Sequence, residues 1–313
     1  MPRAIHEGLN RMQQPRLSAL SRAELDLAFT SFSGMDGGNP AAAIWVCDVA
    51  PLSSCVPLSV ALQGQPIPAA WDREFRSRHA HLLPRWQSHY RIARMLAAAR
   101  SAALPPGRIP INAREYFDRY LYVPNGWEFK LNLFPLPERT DHTLPWSKVF
   151  RELQVLGAKS EYLRLCRLGG RFRFISSLRR QHRPRVVLCL GERHARDYLH
   201  AFGFEDVEGA DVLLQPADLV RRLQVFEHDQ TALVLSPRLG GAQGLSSDVL
   251  LDALGTFLAK WLLPTDFPPC SGVAEEPSVA QPAGKALPAT EALALNEAWV
   301  AARNGLASCI MHQ

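Results

Sequence analysis

The sequence predicts a three-layer α/β/α fold with a mainly parallel central sheet. First, short apolar runs alternate along the chain with longer segments of helical periodicity. Second, runs such as residues 44–49 and 185–190 are apolar almost throughout, which is typical of strands buried on both faces of a parallel sheet. Third, 47% of the 313 residues are hydrophobic and 21% are charged, as in globular proteins and unlike disordered chains.

The elements follow in order from these patterns. Strands are predicted at residues 44–49, 128–134, 185–190, 211–214 and 232–235. Helices are predicted at residues 89–103, 192–202 and 247–261, and a further helix beginning near Ser160 is interrupted at Gly169-Gly170 and resumes at residues 172–181. The α/β domain is expected over residues 31–263, preceded by a helical extension (1–30). A Pro/Ala-rich linker (264–289) and an amphipathic C-terminal helix (290–313) follow, and that helix could serve oligomerisation.

Several classes of protein are disfavoured by composition. No apolar run reaches the roughly 18–20 residues that cross a bilayer, and the first residues lack the apolar segment of a signal peptide. Six cysteines without any Cys-x-x-Cys pair indicate neither a disulfide framework nor a structural zinc site. We therefore expect a cytoplasmic protein in a reducing compartment, with no metal and no cofactor.

Positive charge is concentrated in one stretch of the chain. Residues 161–200 contain ten arginines and only three acidic residues, while the whole chain has a net charge of +5. Such a block is expected of a protein that binds a phosphate backbone, and Arg179, Arg180 and Arg193 are the candidate DNA contacts. A solvated helix face in an arginine-rich protein would give the same pattern, so charge alone leaves both interpretations open.

The loops after the strands are where ligands bind in parallel sheets, and two of these loops are informative. Asn132 stands at the end of a buried strand and is followed by Phe134 and two prolines, which would present its carboxamide rigidly. A carboxamide both donates and accepts, so it can read the edge of a pyrimidine; it can equally bond the amides of its own loop. After residue 235, Ser236 and Arg238 begin a glycine-rich loop that could lie close to a backbone or sugar.

Together these segments resemble the uracil-DNA glycosylase superfamily over roughly residues 31–262. The strand 44–49 leading to Pro51 is similar to that family's first motif, which holds the water-activating residue. Residues 131–135 (LNLFP) are similar to its pyrimidine-reading asparagine strand, and 184–195 (PRVVLCLGERHA) to a stretch of its single-domain branches. Ser236-Pro237 and the loop to Leu245 resemble its second motif, which enters the minor groove and contacts the uracil carbonyl.

The chain departs from this family at both catalytic motifs. Ala50 stands where the family has an acidic or amide residue, and Ser236 where it has histidine. Cleavage of an N-glycosidic bond needs a carboxylate to orient water and stabilise the cationic sugar, and Asp36 and Asp48 are the nearest candidates. A turn-forming role for Asp36 and a loop-tethering role for Asp48 are the alternatives.

The flipped base also needs an aromatic side chain to stack on. Trp127, Phe129 and Phe134 are the candidates, and the alternative for each is a place in the core. The sequence thus suggests a DNA glycosylase-like enzyme acting on an unusual or modified pyrimidine. A catalytically inactive DNA-binding or regulatory protein with the same fold is the rival hypothesis. An unrelated α/β hydrolase is disfavoured because the chain has no Gly-x-Ser-x-Gly, Walker A or Gly-x-Gly-x-x-Gly motif.

Overall fold

Seven strands form one mixed sheet in a computed structural model that describes residues 22–51, 63–136, 146, 156–270 and 272. The strands are β1 (Gly37–Gly38), β2 (Ile44–Asp48), β3 (Glu128–Asn132), β4 (Val186–Leu190), β5 (Gly209–Leu214), β6 (Arg221–His228) and β7 (Thr231–Ser236). Their order across the sheet is β1-β3-β2-β4-β7-β6-β5. The predicted α/β class is therefore confirmed, with antiparallel strands added at both edges.

The four central strands are parallel, and their carboxyl ends lie at the same edge of the sheet. β2 pairs in parallel with β3 and with β4, and β4 pairs in parallel with β7. Asp48 lies opposite Asn132, and Leu190 lies opposite Ser236. β1, β5 and β6 join through antiparallel pairs. The predicted strands 44–49, 128–134, 185–190 and 232–235 therefore end at one edge, as a mainly parallel sheet requires.

The helices are α1 (Arg22–Phe29), α2 (Arg73–His79), α3 (Gln87–Ala103), α4 (Lys159–Leu168), α5 (Gly170–His182), α6 (Ala195–Phe202) and α7 (Asp248–Leu258). A short helical stretch, Ala113–Glu115, continues as a π-helix over Tyr116–Tyr120. The interruption predicted at Gly169-Gly170 separates α4 from α5. A Cβ on Gly169 would lie 2.3 Å from the carbonyl oxygen of Leu165, so the chain needs glycine there.

Each face of the sheet has its own apolar core, because alternate residues of a strand point to opposite sides. On one face, Trp45, Cys47 and Leu131 pack with residues of α1, α4, α5 and α6. On the other face, Val46 and Leu188 pack with residues of α3 and α7. Burial on both sides explains why the central strands are apolar throughout rather than alternating.

Two strands, helix α2 and the short helical stretch at residues 113–120 were not predicted from the sequence. β6 alternates polar and apolar residues and turns Leu223 and Val225 inward, a weaker signal than the continuous apolar runs. β1 consists of two glycines with φ of +119° and +101°, and a Cβ at either would meet backbone oxygen within 2.5 Å. Only glycine fits so close an approach, so strand propensity gives no indication of β1. Helix α2 follows a proline-rich stretch that suggested only a loop.

The chain end after α7 packs closely at first. Phe267 is buried, the Trp127 indole nitrogen donates to the Pro268 carbonyl at 2.8 Å, and Arg185 pairs with Asp266 at 3.0 Å. The first residues of the predicted linker therefore belong to the packed domain. The rest of that linker, the C-terminal helix and most of the N-terminal extension lie outside the described residues. Across the described part of the chain, the helices are all too short or too polar to cross a membrane.

Candidate active site

The topology of the sheet indicates which edge a ligand would bind. Among the parallel strands, β3 lies on one side of β2 and β4 on the other, so the chain order reverses between β2 and β4. In open α/β sheets, ligands bind outside the carboxyl ends of the strands at such a switch point. Asp48, Asn132, Gly191 and Ser236 stand at or next to this edge. The candidate site is therefore the carboxyl edge, as the sequence predicts.

Strand β3 contributes polar side chains to one face only. Phe129 and Leu131 point into an apolar core, while Glu128, Lys130 and Asn132 alternate with them on the opposite face. All five residues are buried. Ionisable groups in such a place need partners, because burying an uncompensated charge is costly. The groups that bind these buried polar side chains therefore identify the residues of the candidate site.

Lys130 is the centre of this polar cluster. Its side chain is 3% exposed, and its ammonium donates to Asp36 Oδ2 at 3.1 Å and to Asn132 Oδ1 at 3.0 Å. The Leu131 carbonyl accepts a third hydrogen bond at 3.1 Å. All three hydrogens of the ammonium are therefore used, which is what a buried lysine requires. Sequence analysis did not single out Lys130.

Both polar atoms of the Asn132 carboxamide have hydrogen-bond partners within the chain. Its amide nitrogen donates to the Gly34 carbonyl at 2.7 Å and to Asp36 Oδ2 at 3.1 Å, and its oxygen accepts from Lys130. The residue is 1% exposed. The carboxamide thus joins the loop before β1 to β3 and positions Asp36. A base could be read by Asn132 only if it displaced these bonds, so base reading stays a prediction.

The two candidate carboxylates differ in how far they are occupied. Asp36 Oδ2 accepts from both Lys130 and Asn132, and its side chain is 22% exposed. Asp48 is partly exposed at the end of β2, and its Oδ1 accepts from the Val49 amide at 2.8 Å. Among the described residues, no other hydrogen bond reaches the Asp48 side chain. Asp48 therefore has an oxygen available to orient a water molecule.

The charges in the cluster support one another. Burial disfavours the charged form of Lys130, but the negative charges of Asp36 and Asp48 outweigh it and raise the pKa of Lys130 above its ordinary value. Burial likewise opposes ionisation of Asp36, but Lys130 outweighs it and lowers the pKa of that carboxyl. The ammonium and the Asp36 carboxylate are therefore both charged at neutral pH.

An aromatic group lies beside the cluster and was also missed. Tyr122 has a left-handed backbone (φ +56°), its amide donates to Glu128 at 2.6 Å, and its hydroxyl lies 3.2 Å from His89 Nδ1. Trp71 packs edge-on against both rings at 4.9 Å. Burial lowers the pKa of His89 to about 4, so the ring is neutral at pH 7. An unfavourable backbone conformation held by surrounding contacts is common at functional sites.

The remaining predicted residues divide between the two edges. Arg193 and Arg238 are exposed in the loops after β4 and β7, at the carboxyl edge. Ser236 is fully buried, and its hydroxyl donates to the Pro237 carbonyl at 3.0 Å. Two predicted stacking residues are in the core: Phe134 packs on Tyr162 and Phe172, and Phe129 packs on Trp45.

Trp127 and the paired arginines lie at the opposite edge. Trp127 precedes β3 and stacks on Tyr120 at 4.9 Å, so the structure does not bring it near Asn132. Arg179 and Arg180 lie in the last turn of helix α5, which precedes β4, and Arg179 is buried. Only Arg193 of the three predicted DNA contacts is at the candidate site.

In the residues that the structure describes, no group of three His, Cys, Asp or Glu side chains could hold a metal ion. In comparisons with known proteins, the chain matches no protein-family model, no curated protein and no solved structure. The function must therefore be argued from the site itself.

Proposed function

We propose that this chain is a DNA glycosylase-like enzyme that hydrolyses the N-glycosidic bond of an unusual or modified pyrimidine flipped out of DNA. One observation carries the proposal: Asp36, Asp48 and Asn132 converge at the carboxyl edge of the parallel sheet around the buried ammonium of Lys130. The exposed Arg193 and Arg238 would place phosphates at the same edge.

Asp48 is the better candidate for the carboxylate that acts on water. Each carboxylate keeps one oxygen without a hydrogen-bond partner among the described residues, but the Oδ2 of Asp36 is bonded to Lys130 and Asn132. Because Lys130 lowers the pKa of Asp36 despite its burial, that carboxylate is a weaker base than an ordinary aspartate. As the bond from sugar to base breaks, the base leaves with the electron pair and the sugar becomes cationic. Asp48 stabilises that cation and takes a proton from the attacking water, while solvent protonates the base. Asp36, Lys130 and Asn132 position the loop that borders the site.

The architecture is compatible with the uracil-DNA glycosylase resemblance. Helices contribute to the apolar core on each face of the sheet, which supports the three-layer arrangement expected from that family. The resemblance assigns base reading to Asn132 and a minor-groove role to the loop after Ser236. Both roles remain part of this proposal. For Asn132 to read a base, its carboxamide must first release its present hydrogen-bond partners.

A second candidate function is DNA binding without catalysis. The specific observation in its favour is that the carboxamide of Asn132 and the hydroxyl of Ser236 are both buried and bonded within the chain. Ala50 cannot activate water either. A chain that had kept the fold and lost the chemistry would have these features.

The two candidates are separated by a base-release assay. The full chain is incubated with DNA duplexes that each carry a different modified pyrimidine, and abasic sites and free base are measured. The enzyme hypothesis predicts release from at least one of them. Binding to every duplex with no release from any would favour the inactive DNA-binding protein.

Asn132→Ala tests the reading of the base on whichever duplex is cleaved. Loss of a hydrogen bond to the base edge should lower the rate and also reduce discrimination between modified and ordinary pyrimidines. Asn125→Ala is the matched control, because Asn125 is exposed in the turn before β3. A rate reduced equally for all bases would instead assign Asn132 only the positioning of Asp36.

A further inference from the structure

Arginines surround two adjoining cavities at the amino edge of the sheet, opposite the candidate active site. One cavity, of about 280 Å³, is lined by Arg179, Arg180, Arg183, Asp229, Gln230 and Thr231. The other, of about 360 Å³, includes Arg183, Arg185, Gln230 and Asp266 in its lining. Because Arg183 and Gln230 line both, the two cavities adjoin at these residues, and together they are called the basic groove below.

The basic groove carries more positive than negative charge. Arg179 is buried over the ring of Phe204 and faces Asp229 at 3.7 Å, and Arg185 pairs with Asp266 at 3.0 Å. Arg180 and Arg183 are exposed, and within the described part of the chain no carboxylate pairs with either. Two guanidinium groups are therefore left to bind an anion from outside.

The backbone around the groove adopts conformations that side chains disfavour. Arg183, Asp229 and Gln230 all have left-handed φ values, +49°, +49° and +65°. Arg183 follows helix α5 at a position where glycine is usual, and the Asp229-Gln230 turn between β6 and β7 would form more easily with Asn-Gly. Aspartate is a usual first residue of such a turn, so Arg183 and Gln230 are the positions whose side chains the turns themselves do not favour.

We infer that the basic groove is a second DNA contact, in which Arg180 and Arg183 bind the phosphodiester backbone. The guanidinium fork matches phosphate oxygens, and an open groove with charges spread along it suits a chain of phosphates better than a single small anion. The inference rests on the proposed function only for the nature of the partner, DNA, and not for base release.

The groove and the candidate active site are separate contacts. Arg185 precedes β4 and Gly191 follows it, so at roughly 3.3 Å per residue the two edges are about 20 Å apart. A phosphate in the groove therefore cannot belong to the nucleotide whose base is released at the other edge. DNA would have to extend around the domain, so the groove should contribute to affinity without affecting the chemical step.

The test is DNA binding by the full chain, measured by fluorescence anisotropy with a labelled duplex of about 30 base pairs at several salt concentrations. The groove variant is Arg180→Glu/Arg183→Glu. The matched control is Arg78→Glu/Arg222→Glu, which makes the same change in charge at exposed arginines that already face Glu74 and Asp211. Thermal unfolding of both variants checks that they fold.

We expect the groove variant to bind about 10- to 100-fold more weakly at low salt, with the slope of log affinity against log salt reduced by about two. The control should bind within about threefold of the wild type. Equal losses in both variants, or unchanged affinity in the groove variant, would overturn the inference. Displacement of the duplex by equimolar inorganic triphosphate would also overturn it, because the site would then bind small anions. If the wild type binds DNA through the groove but releases no base, the inference about the groove is supported and the proposed base release is contradicted.

Discussion

Lys130 and Arg171 are two buried cations at the carboxyl end of β3, and they differ in what they bind. Arg171 is fully buried on helix α5 and donates to three backbone carbonyls, those of Leu133 (3.1 Å), Ser31 (3.0 Å) and Asn132 (2.7 Å). Lys130 instead binds two side chains, Asp36 and Asn132, together with one carbonyl. Arg171 joins backbone segments, and Lys130 holds side chains at the carboxyl edge of the sheet.

This difference indicates a structural role for Arg171 and, under the proposed function, a place for Lys130 beside the reacting groups. The acceptors of Arg171 have no protons to exchange and cannot reach a ligand, so its task ends with joining the end of β3 to the loop before β1. The partners of Lys130 include a partly exposed carboxylate, and Asp48 adds a second negative charge nearby. We therefore expect substitutions at Arg171 to affect folding and substitutions around Lys130 to affect both folding and chemistry.

The largest loss of stability is expected for Arg171→Met. Three buried carbonyls would lose their donor, and at about 1–3 kcal/mol for each buried group left unsatisfied, the free energy of unfolding should fall by about 4–5 kcal/mol. Urea denaturation measures this change. Arg173→Met, at an exposed position on the same helix, should cost less than about 0.5 kcal/mol. A small loss for Arg171→Met would remove the distinction between the two cations.

Lys130→Met should lower the free energy of unfolding by about 3–4 kcal/mol, because removing one partner leaves Asp36 and Asn132 uncompensated. Adding Asp36→Asn should recover about 1–2 kcal/mol of this loss, since the remaining groups are then neutral. Base release should stay impaired in the double variant. If the two substitutions changed the free energy of unfolding additively in urea denaturation, Lys130 and Asp36 would not be energetically coupled.

Glu128, a buried carboxyl on the same strand as Lys130, should make the stability of the fold depend on pH. Burial raises the pKa of this carboxyl to about 7, although Tyr116, the Tyr122 amide and Arg76 oppose the shift. The folded state therefore holds the proton more tightly than the unfolded state, whose pKa is the ordinary 4.5. Stability from this group is complete below pH 4.5 and is lost as pH rises through 7.

Glu128→Gln should remove this dependence. Between pH 5 and pH 8, the stability of the wild type relative to the variant should fall by about 2–3 kcal/mol, measured by urea denaturation at each pH. Glutamine can still accept from the Tyr122 amide, so the variant is a fair reference. Parallel pH curves for the two proteins would contradict the buried protonated carboxyl.

The smallest effect concerns His89. With a pKa of about 4, its ring should show almost no change in NMR chemical shift between pH 5.5 and pH 8. Comparison with His89→Gln assigns the resonance. A titration near pH 6.5 would mean that water reaches the ring, and that the cluster around Lys130 is more open than described.

The sequence predicts the parallel core well because its strands are buried on both faces and so carry continuous apolar runs. It places Asp36, Asp48 and Asn132 at a turn or a strand end, and the structure brings them to the same edge of the sheet, while their role in catalysis stays a prediction. It does not predict Lys130, because a lysine within a strand resembles any solvent-facing residue until the helices covering that face are known. Trp127 and Arg179 were predicted as nucleic-acid contacts from their chemistry, but the structure places both at the amino edge, which depends on the path of the chain and not on residue type.

The most direct test of the account is single-turnover release of base from the modified duplex that the wild type cleaves, measured for Asp48→Asn. We expect the rate to fall by about two to four orders of magnitude while DNA affinity stays within about threefold, because the proposed mechanism has Asp48 act on water and not on phosphate. Asp36→Asn should reduce the rate less, since Asp36 is bonded to Lys130 and Asn132. Full base release by Asp48→Asn would place the chemistry elsewhere and contradict the assignment of the carboxyl edge as the active site.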